Sequence, residues 1–341
     1  MEKTIVSLKE QYEAFKSENK KTRIREAAKQ LGVSEAELVA LGENNVALRP
    51  EFQEILNEIK HLGKVLAITR NDDAVHERKG VYTKATFNAH IGLVVNPDID
   101  LRLFMNAWHF AFAVEENERK SLQFFDQDGT AVHKIYMTEE SNLDVYQGLI
   151  EKYKAEDQNP SLNIQPVDYS ITEIPDSQAD VAGFKAAWLA LKDTHQFFGM
   201  VKQFGLSRRQ ALRLAPEGHA VKIKTESLKQ ILEKVSERDL DIMVFIGSRG
   251  CIQIHTGKAK KLLQTGPWYN ILDPDFNMHL KDASIESLWI VKKPTEDGIV
   301  TSIEAFDQTG NVIAQFFGKR KPRIPEREDW RQVVSEFTEE I

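Results

Sequence analysis

The sequence predicts an α+β protein made by tandem duplication, with runs of helices followed by runs of antiparallel strands in each copy. Three observations predict it. First, the chain is written twice: KQLGVSEAELVAL at 29–41 returns as KQFGLSRRQALRL at 202–214, NPDIDL at 96–101 as DPDFNM at 273–278, and FDQDG at 125–129 as FDQTG at 306–310. Order is preserved and the offset grows only from 173 to 177 to 181, as two short insertions require. Second, each copy opens with apolar residues at helical spacing. Third, each then changes to short segments that alternate apolar and polar residues between turn signals, and helices followed by strands indicate α+β rather than a βαβ series.

The elements follow in order. Leu8, Tyr12 and Phe15 recur at helix spacing, and a second helix covers Ile24 to Gln30. Gly32 stops it, and Ser34 with Glu37 three residues on reads as a capping box opening a third. From Lys64 the strands are KVLAITR, GVYTKATF, AHIGLVV, LRLFM, HFAFAVEE, KSLQFFD and AVHKIYM, separated by NDD, NPD and DQDG. A helix near Asn142–Lys154 closes the first repeat, assigned to residues 1–154. Residues 155–180 are polar, hold three prolines and read as a linker. The second repeat, 181–341, repeats the order: helices at about 180–203 and 207–216, strands from Ile242 to Phe317, and a closing helix near 327–338.

Composition narrows the function classes. The 341 residues are 41% hydrophobic and 28% charged, with a net charge of −7, so any cationic site is local and a general polyanion binder is disfavoured. Cys251 is the only cysteine, which excludes an internal disulfide framework and a thiolate zinc cluster. The N-terminus holds no apolar run of signal-peptide length and no stretch approaches a membrane span, so a cytoplasmic protein without membrane insertion is expected. GxxxxGK[ST], GxGxxG, HExxH, GxSxG and CxxCH are all missing.

The shared frame carries different charge in the two copies. Glu35 and Ala36 become Arg208 and Arg209, Glu115 and Glu116 become Lys292 and Lys293, Glu139 and Glu140 become Arg320 and Lys321, and Thr22 becomes His195. The simplest physical reading is a site in the second copy for an anionic ligand that also takes an imidazole. Haem meets these demands together: iron takes an imidazole nitrogen, the porphyrin takes aromatic walls, and two propionates take Arg and Lys. His195 lies in LALKDTHQFFGMVKQFG, read as a helix, among Trp188, Phe197, Phe198 and Met200. A lone histidine beside aromatics is more often a packed residue than a ligand; its absence from the first copy argues the other way. Arg102, the counterpart of His279, reads equally as a surface strand residue or as a charge near the ligand. His76, in NDDAVHERKG, reads as an exposed loop histidine and as a secondary or transient ligand at most. The KQxGxSxxxxLxL segment has the outline of a helix-turn-helix, with Arg208, Arg209 and Arg213 toward phosphates. The acidic first copy and the strand-rich remainder favour a structural helical hairpin and no nucleic-acid partner.

Four stretches carry a family resemblance: NPDIDLRLFMNAWHF, KDTHQFFGMVKQFGLSRRQALRLAPEGHA, GPWYNILDPDFNMHL and FDQTGNVIAQFFGKR. Over essentially its full length the chain resembles the haem-utilisation proteins of the HemS/ChuS/HmuS type, the hemin-degrading factors. The resemblance implies a pair of structural repeats, each a large antiparallel sheet with flanking helices, and a haem b site on the C-terminal repeat. It implies His195 as the iron ligand and Arg102 on the distal side, both with catalytic roles. Arg208, Lys293 and Arg320 would face the propionates, with Phe104 and Phe245 as aromatic neighbours. Related proteins often have a tyrosine where this chain has Phe317, which removes a hydroxyl donor. The expected activity is degradation of imported haem by an oxygenase that takes electrons from an external donor, releasing iron; carriage of haem without turnover, received from an importer, is the alternative.

Overall fold

The computed structural model describes residues 7–158, 161–320 and 324–338. The chain forms two compact units. Unit 1 holds the described residues up to Arg70, Arg78–Asp168 and Ser248–Gln253; unit 2 holds Asn71–Glu77, Tyr169–Gly247 and the described residues from Ile254 on. No single cut separates them, because one short segment of each half of the chain belongs to the other unit. Among the described residues no helix is long and apolar enough to cross a membrane.

The first half of the chain runs α1 (Leu8–Glu18), α2 (Ile24–Leu31), α3 (Glu35–Ala40), β1 (Val46–Leu48), α4 (Phe52–Glu58), β2 (Gly63–Arg70), β3 (Ala74–Val81), β4 (Thr86–Asn88), β5 (Ile91–Val95), β6 (Asp100–Phe104), β7 (Phe110–Glu116), β8 (Arg119–Phe125), β9 (Ala131–Ser141) and α5 (Leu143–Tyr153). The second half repeats this order: α6 (Val181–Leu189), α7 (Gln196–Gln203), α8 (Arg208–Arg213), β10 (Ala220–Ile223), α9 (Ser227–Glu237), β11 (Ile242–Gly247), β12 (Cys251–Gly257), β13 (Leu262–Thr265), β14 (Trp268–Leu272), β15 (Phe276–Leu280), β16 (Ser287–Thr295), β17 (Gly298–Phe306), β18 (Val312–Gly318) and α10 (Glu328–Ser335). The duplication read from three short motifs is therefore a duplication of the whole element order, and the chain has two large antiparallel sheets flanked by helices.

Local chemistry explains the boundaries. Gly32 ends α2 in the left-handed region at φ 69, open to glycine without strain. Ser34 and Glu37 form the expected capping box at α3. In unit 1 the strands β1-β7-β8-β9-β2 are antiparallel neighbours. Alternation divides them between two faces. Ala111, Ala113, Leu122 and Ile135 pack with Ile55 of α4 and Leu149 of α5, while Phe112 and Val114 pack with Ala36 and Val39 of α3. Unit 2 repeats the plan with β10-β16-β17-β18-β11. Ile290, Ile303 and Phe316 pack on α9 and α10, and the opposite face, with Val291 and Phe306, packs on α6–α8.

Two expectations are corrected. The helix expected over 180–203 is broken at 190–195, because polar side chains there bind the backbone in place of the helix: Gln196 Oε1 accepts from the Lys192 and Asp193 N–H groups, and Asp193 Oδ1 from His195 N–H. His76 is not in an exposed loop. It is fully buried in β3, its ring 4.9 Å from Phe276, because a strand with charged Glu77, Arg78 and Lys79 still buries its first residues. The PWYN segment lies largely in β14, with Tyr269 in the core.

Candidate functional site

Six of the eight nominated side chains lie in unit 2: His195, Arg208, Phe245, Lys293, Phe317 and Arg320. The sheet register brings several together. Trp289, Glu304, Gln315 and Phe245 form one cross-strand row, and Val291, Ser302, Phe317 and Met243 the next. Both rows lie on the face that carries α6–α8. Phe245 and Phe317 meet there with ring centroids 4.9 Å apart, each half-buried.

Beside them sits a three-membered charge cluster. Arg208, the first residue of α8, donates Nε–H and Nη2–H to Glu304 Oε2 and Oε1 at 2.7 and 2.9 Å. Lys293 Nζ donates to the same Oε1 at 2.7 Å, as does Ser302 Oγ at 3.0 Å. Glu304 is fully buried and the Lys293 side chain is 4% exposed. Burial would raise the Glu304 carboxyl, but Arg208 and Lys293 outweigh it and hold the group well below the usual carboxylate range. The Lys293 pKa is lowered too: burial, and Arg208 beside it, push it down to about 8 despite the attraction of Glu304. The shift favours the charged form of Glu304 and disfavours that of Lys293, because Glu304 faces two cations while Lys293 faces one anion and one cation.

This cluster gives two of the nominated cations an internal partner. Lys293 is sealed against Glu304, which the sequence offered no reason to single out. The change of Glu35 to Arg208 also has an internal partner. In unit 1 Glu35 opens α3 and is held by Lys134 of β9. On the duplicated frame Lys134 corresponds to Gln315, and Gln123 to Glu304. Each unit thus ties the start of this helix to its sheet with a buried ion pair, and the polarity is reversed between copies. Arg209 and Arg213 are also engaged: Arg213 donates to Asp176 and Glu173, and Arg209 lies 3.9 Å from Glu173. The helix-turn-helix face is occupied by the acidic end of the linker.

His195 stands apart from this packing. It caps α7 and its side chain is 83% exposed, with Nδ1 2.6 Å from Asp193 Oδ1. Nε2 has no partner among the described residues and points to solvent. Two residues on, Phe197 is buried, with Arg208 and Lys293 stacked over its ring at 5.2 and 4.4 Å. The next residue, Phe198, is 73% exposed beside the histidine. The loop that carries His195 is tied to the β16–β17 hairpin by Glu296 N–H donating to Lys192 O at 3.0 Å. From the same hairpin Asp297 lies 4.0 Å from the Arg320 guanidinium, which is close enough to Asp193 to lower its carboxyl. Lys321, nominated with Arg320 as part of the basic run, lies outside the described residues.

Arg102 and Phe104 lie in unit 1. With Asp100 they form the outward row of β6, while Leu101 and Leu103 are buried behind. Arg102 donates to Asp100, whose carboxyl is raised by burial against that pairing. Their partners on β5 are exposed and apolar: Leu93 is opposite Arg102 and Ile91 opposite Phe104.

Unit 2 thus offers one exposed imidazole nitrogen, an exposed Phe198, two half-buried phenylalanines and two arginines with partial solvent access, the kinds of group that a flat apolar ligand carrying a metal and carboxylates would require. Among the described residues no group of three or more His, Cys, Asp or Glu is placed to hold a metal ion by itself.

The model of the haemin-degrading HemS.ChuX domain matches the chain twice, over residues 32–153 and 205–337. The chain belongs to this family. The hemin transport protein HmuS of Yersinia pestis is 38% identical over 336 residues, 96% of each chain. The heme-binding protein PhuS of Pseudomonas aeruginosa superposes with a TM-score of 0.93 at 44% identity, over 96% of this chain and 97% of its own. The heme degrading enzyme ChuS of Escherichia coli O157:H7 gives 0.90 at 35%, with the same coverage. The paired family match falls on the two repeats, so each HemS-type domain is one copy of the duplicated element order. Sequence reasoning did not single out Asp193 or Glu304, and it named Phe198 only as an aromatic neighbour of His195.

Proposed function

We propose that this HemS-type protein binds haem in unit 2 through His195, in a cytoplasmic pathway of iron acquisition. The observation that carries the reading is the His195 ring: Nδ1 is taken up by Asp193, and Nε2 is left exposed with no partner among the described residues. A histidine that only packs would be buried, as Phe197 beside it is. Phe198, Phe245 and Phe317 supply apolar surface, and Arg320 and Arg208 the cations for two propionates. Lys293 enters indirectly, by sharing Glu304 with Arg208. Phe104 is proposed as a further aromatic contact. Arg102, paired now with Asp100, is proposed to act on the chemistry of bound haem more than on its affinity.

Haem is read as substrate. It would supply the iron that takes Nε2, and dioxygen or peroxide would be the oxidant that opens its ring and frees that iron. The residues hold and orient it, and electrons come from a separate donor. Carriage without turnover is the second reading, favoured by the name of the Yersinia pestis relative, a hemin transport protein; there an importer is the partner that hands haem over. A haem titration followed by absorbance tests binding, and incubation with a reductant separates the two readings. Ring opening abolishes the Soret band, whereas carriage preserves it. No Soret shift on titration overturns the proposal.

A further inference from the structure

The reading above gives Asp193 no role beyond occupying Nδ1, yet the loop before α7 is built to hold it. Gln196 Oε1 accepts from the N–H groups of Lys192 and Asp193 at 3.0 and 3.2 Å. One carboxylate oxygen of Asp193 accepts from the His195 backbone N–H at 2.8 Å and lies 2.6 Å from His195 Nδ1. Asp193 is thereby fixed in place and aimed at the ring nitrogen opposite the one that faces solvent.

The geometry points to Asp193 as the positioning residue that sets the donor strength of His195 toward haem iron. This rests on the haem-binding reading. A carboxylate that accepts Nδ1–H fixes the tautomer with the lone pair on Nε2 and gives the ring imidazolate character, which makes it a stronger ligand. A more anionic donor favours the ferric over the ferrous ion, because axial ligation and its hydrogen bonding are levers on haem potential. Asp193 then makes bound haem harder to reduce, and the step it governs is entry of the electron from the external donor. Both side chains are largely exposed, at 83% and 58%, where water weakens the bond. A ligand on Nε2 that displaces that water strengthens it.

Asp193→Asn separates charge from structure, because asparagine keeps an oxygen for the His195 backbone N–H and removes the carboxylate. In the ligand-free protein, nitrogen NMR of the His195 ring reports Nδ1-protonated imidazole in the wild type and a mixture of tautomers in the variant. In the haem-loaded protein the ferric-over-ferrous affinity ratio falls about tenfold, within the range for loss of a metal ligand's hydrogen-bond partner. For one electron that is a rise of ~59 mV in midpoint potential. The ferrous iron–histidine stretch moves to lower frequency. If the asparagine variant does not fold, Asp193→Ser, which also offers a capping oxygen, carries the same comparison. An unchanged potential, stretch and tautomer in a folded variant overturn the role of Asp193. The haem reading itself fails separately, if His195→Ala keeps the wild-type spectrum and affinity.

Discussion

Replacing Glu304 by Gln removes the one anion shared by two cations at the centre of unit 2. Breaking a buried ion pair from one side typically costs about 3–5 kcal/mol, since an uncompensated charge stays buried. Here the cost falls at the upper end of that range, because both Arg208 and Lys293 lose their counter-charge. Lys293→Met is the contrasting case. A lysine pushed from 10.5 to about 8 holds its charge at a cost of about 3 kcal/mol. Removing the ammonium relieves that cost and leaves Arg208 and Glu304 joined by two hydrogen bonds, so the net change is within about 1 kcal/mol. Urea titration followed by tryptophan fluorescence reads both, with Trp188 and Trp289 reporting on unit 2. The two groups also fix the pH dependence. The Glu304 carboxyl lies below its unfolded value, so its contribution is present above pH 4.5 and fades as pH falls through the acid range, and the deficit of the Gln variant shrinks there. Between about pH 8 and 10.5 the unfolded chain still holds the Lys293 proton that the folded chain has released, so the wild type gains stability relative to Lys293→Met. A loss under 1 kcal/mol in Glu304→Gln, or equal losses in both variants, refutes a cluster organised around Glu304.

Arg320→Ala should weaken haem by roughly 10- to 100-fold, the equivalent of one hydrogen bond to a charged group at ~1.5–3 kcal/mol. It should have little effect on haem dimethyl ester; equal losses with both ligands contradict a propionate role. Arg102→Ala should keep most of the haem affinity and slow single-turnover loss of the Soret band. Collapse of affinity with a normal rate per bound haem would make it a binding residue.

Patterns set by local chemistry were legible in the sequence, and those set by burial were not. Gly32 and the Ser34–Glu37 box define helix ends within a few residues, so α2 and α3 were readable, as were β7 to β9 with their alternation and DQDG turn. Strand β1, of three residues, is too short to show a period, and α4 lies in a stretch without a capping signal. His76 was misread because polar neighbours mark a surface only if the whole segment is on it, and β3 buries Ala74, Val75 and His76 before its charged residues emerge. The charge changes between the copies were visible, but whether a cation faces a ligand or an internal carboxylate depends on a residue about a hundred positions away. Arg208 and Lys293 find Glu304; His195, exposed and, among the described residues, tethered only to Asp193, does not find the core. Asp193 itself read as one polar residue inside a helix that in fact breaks there.

The central claim is that His195 Nε2 takes the iron of haem. Titrating haem into the wild type and His195→Ala, with the ferric and ferrous spectra and the dissociation constant recorded for each, tests it most directly. The account predicts a Soret band and ligand-field pattern of histidine-bound haem in the wild type, with a shifted spectrum and weaker binding in the folded alanine variant. Identical spectra and affinities for the two proteins would contradict it.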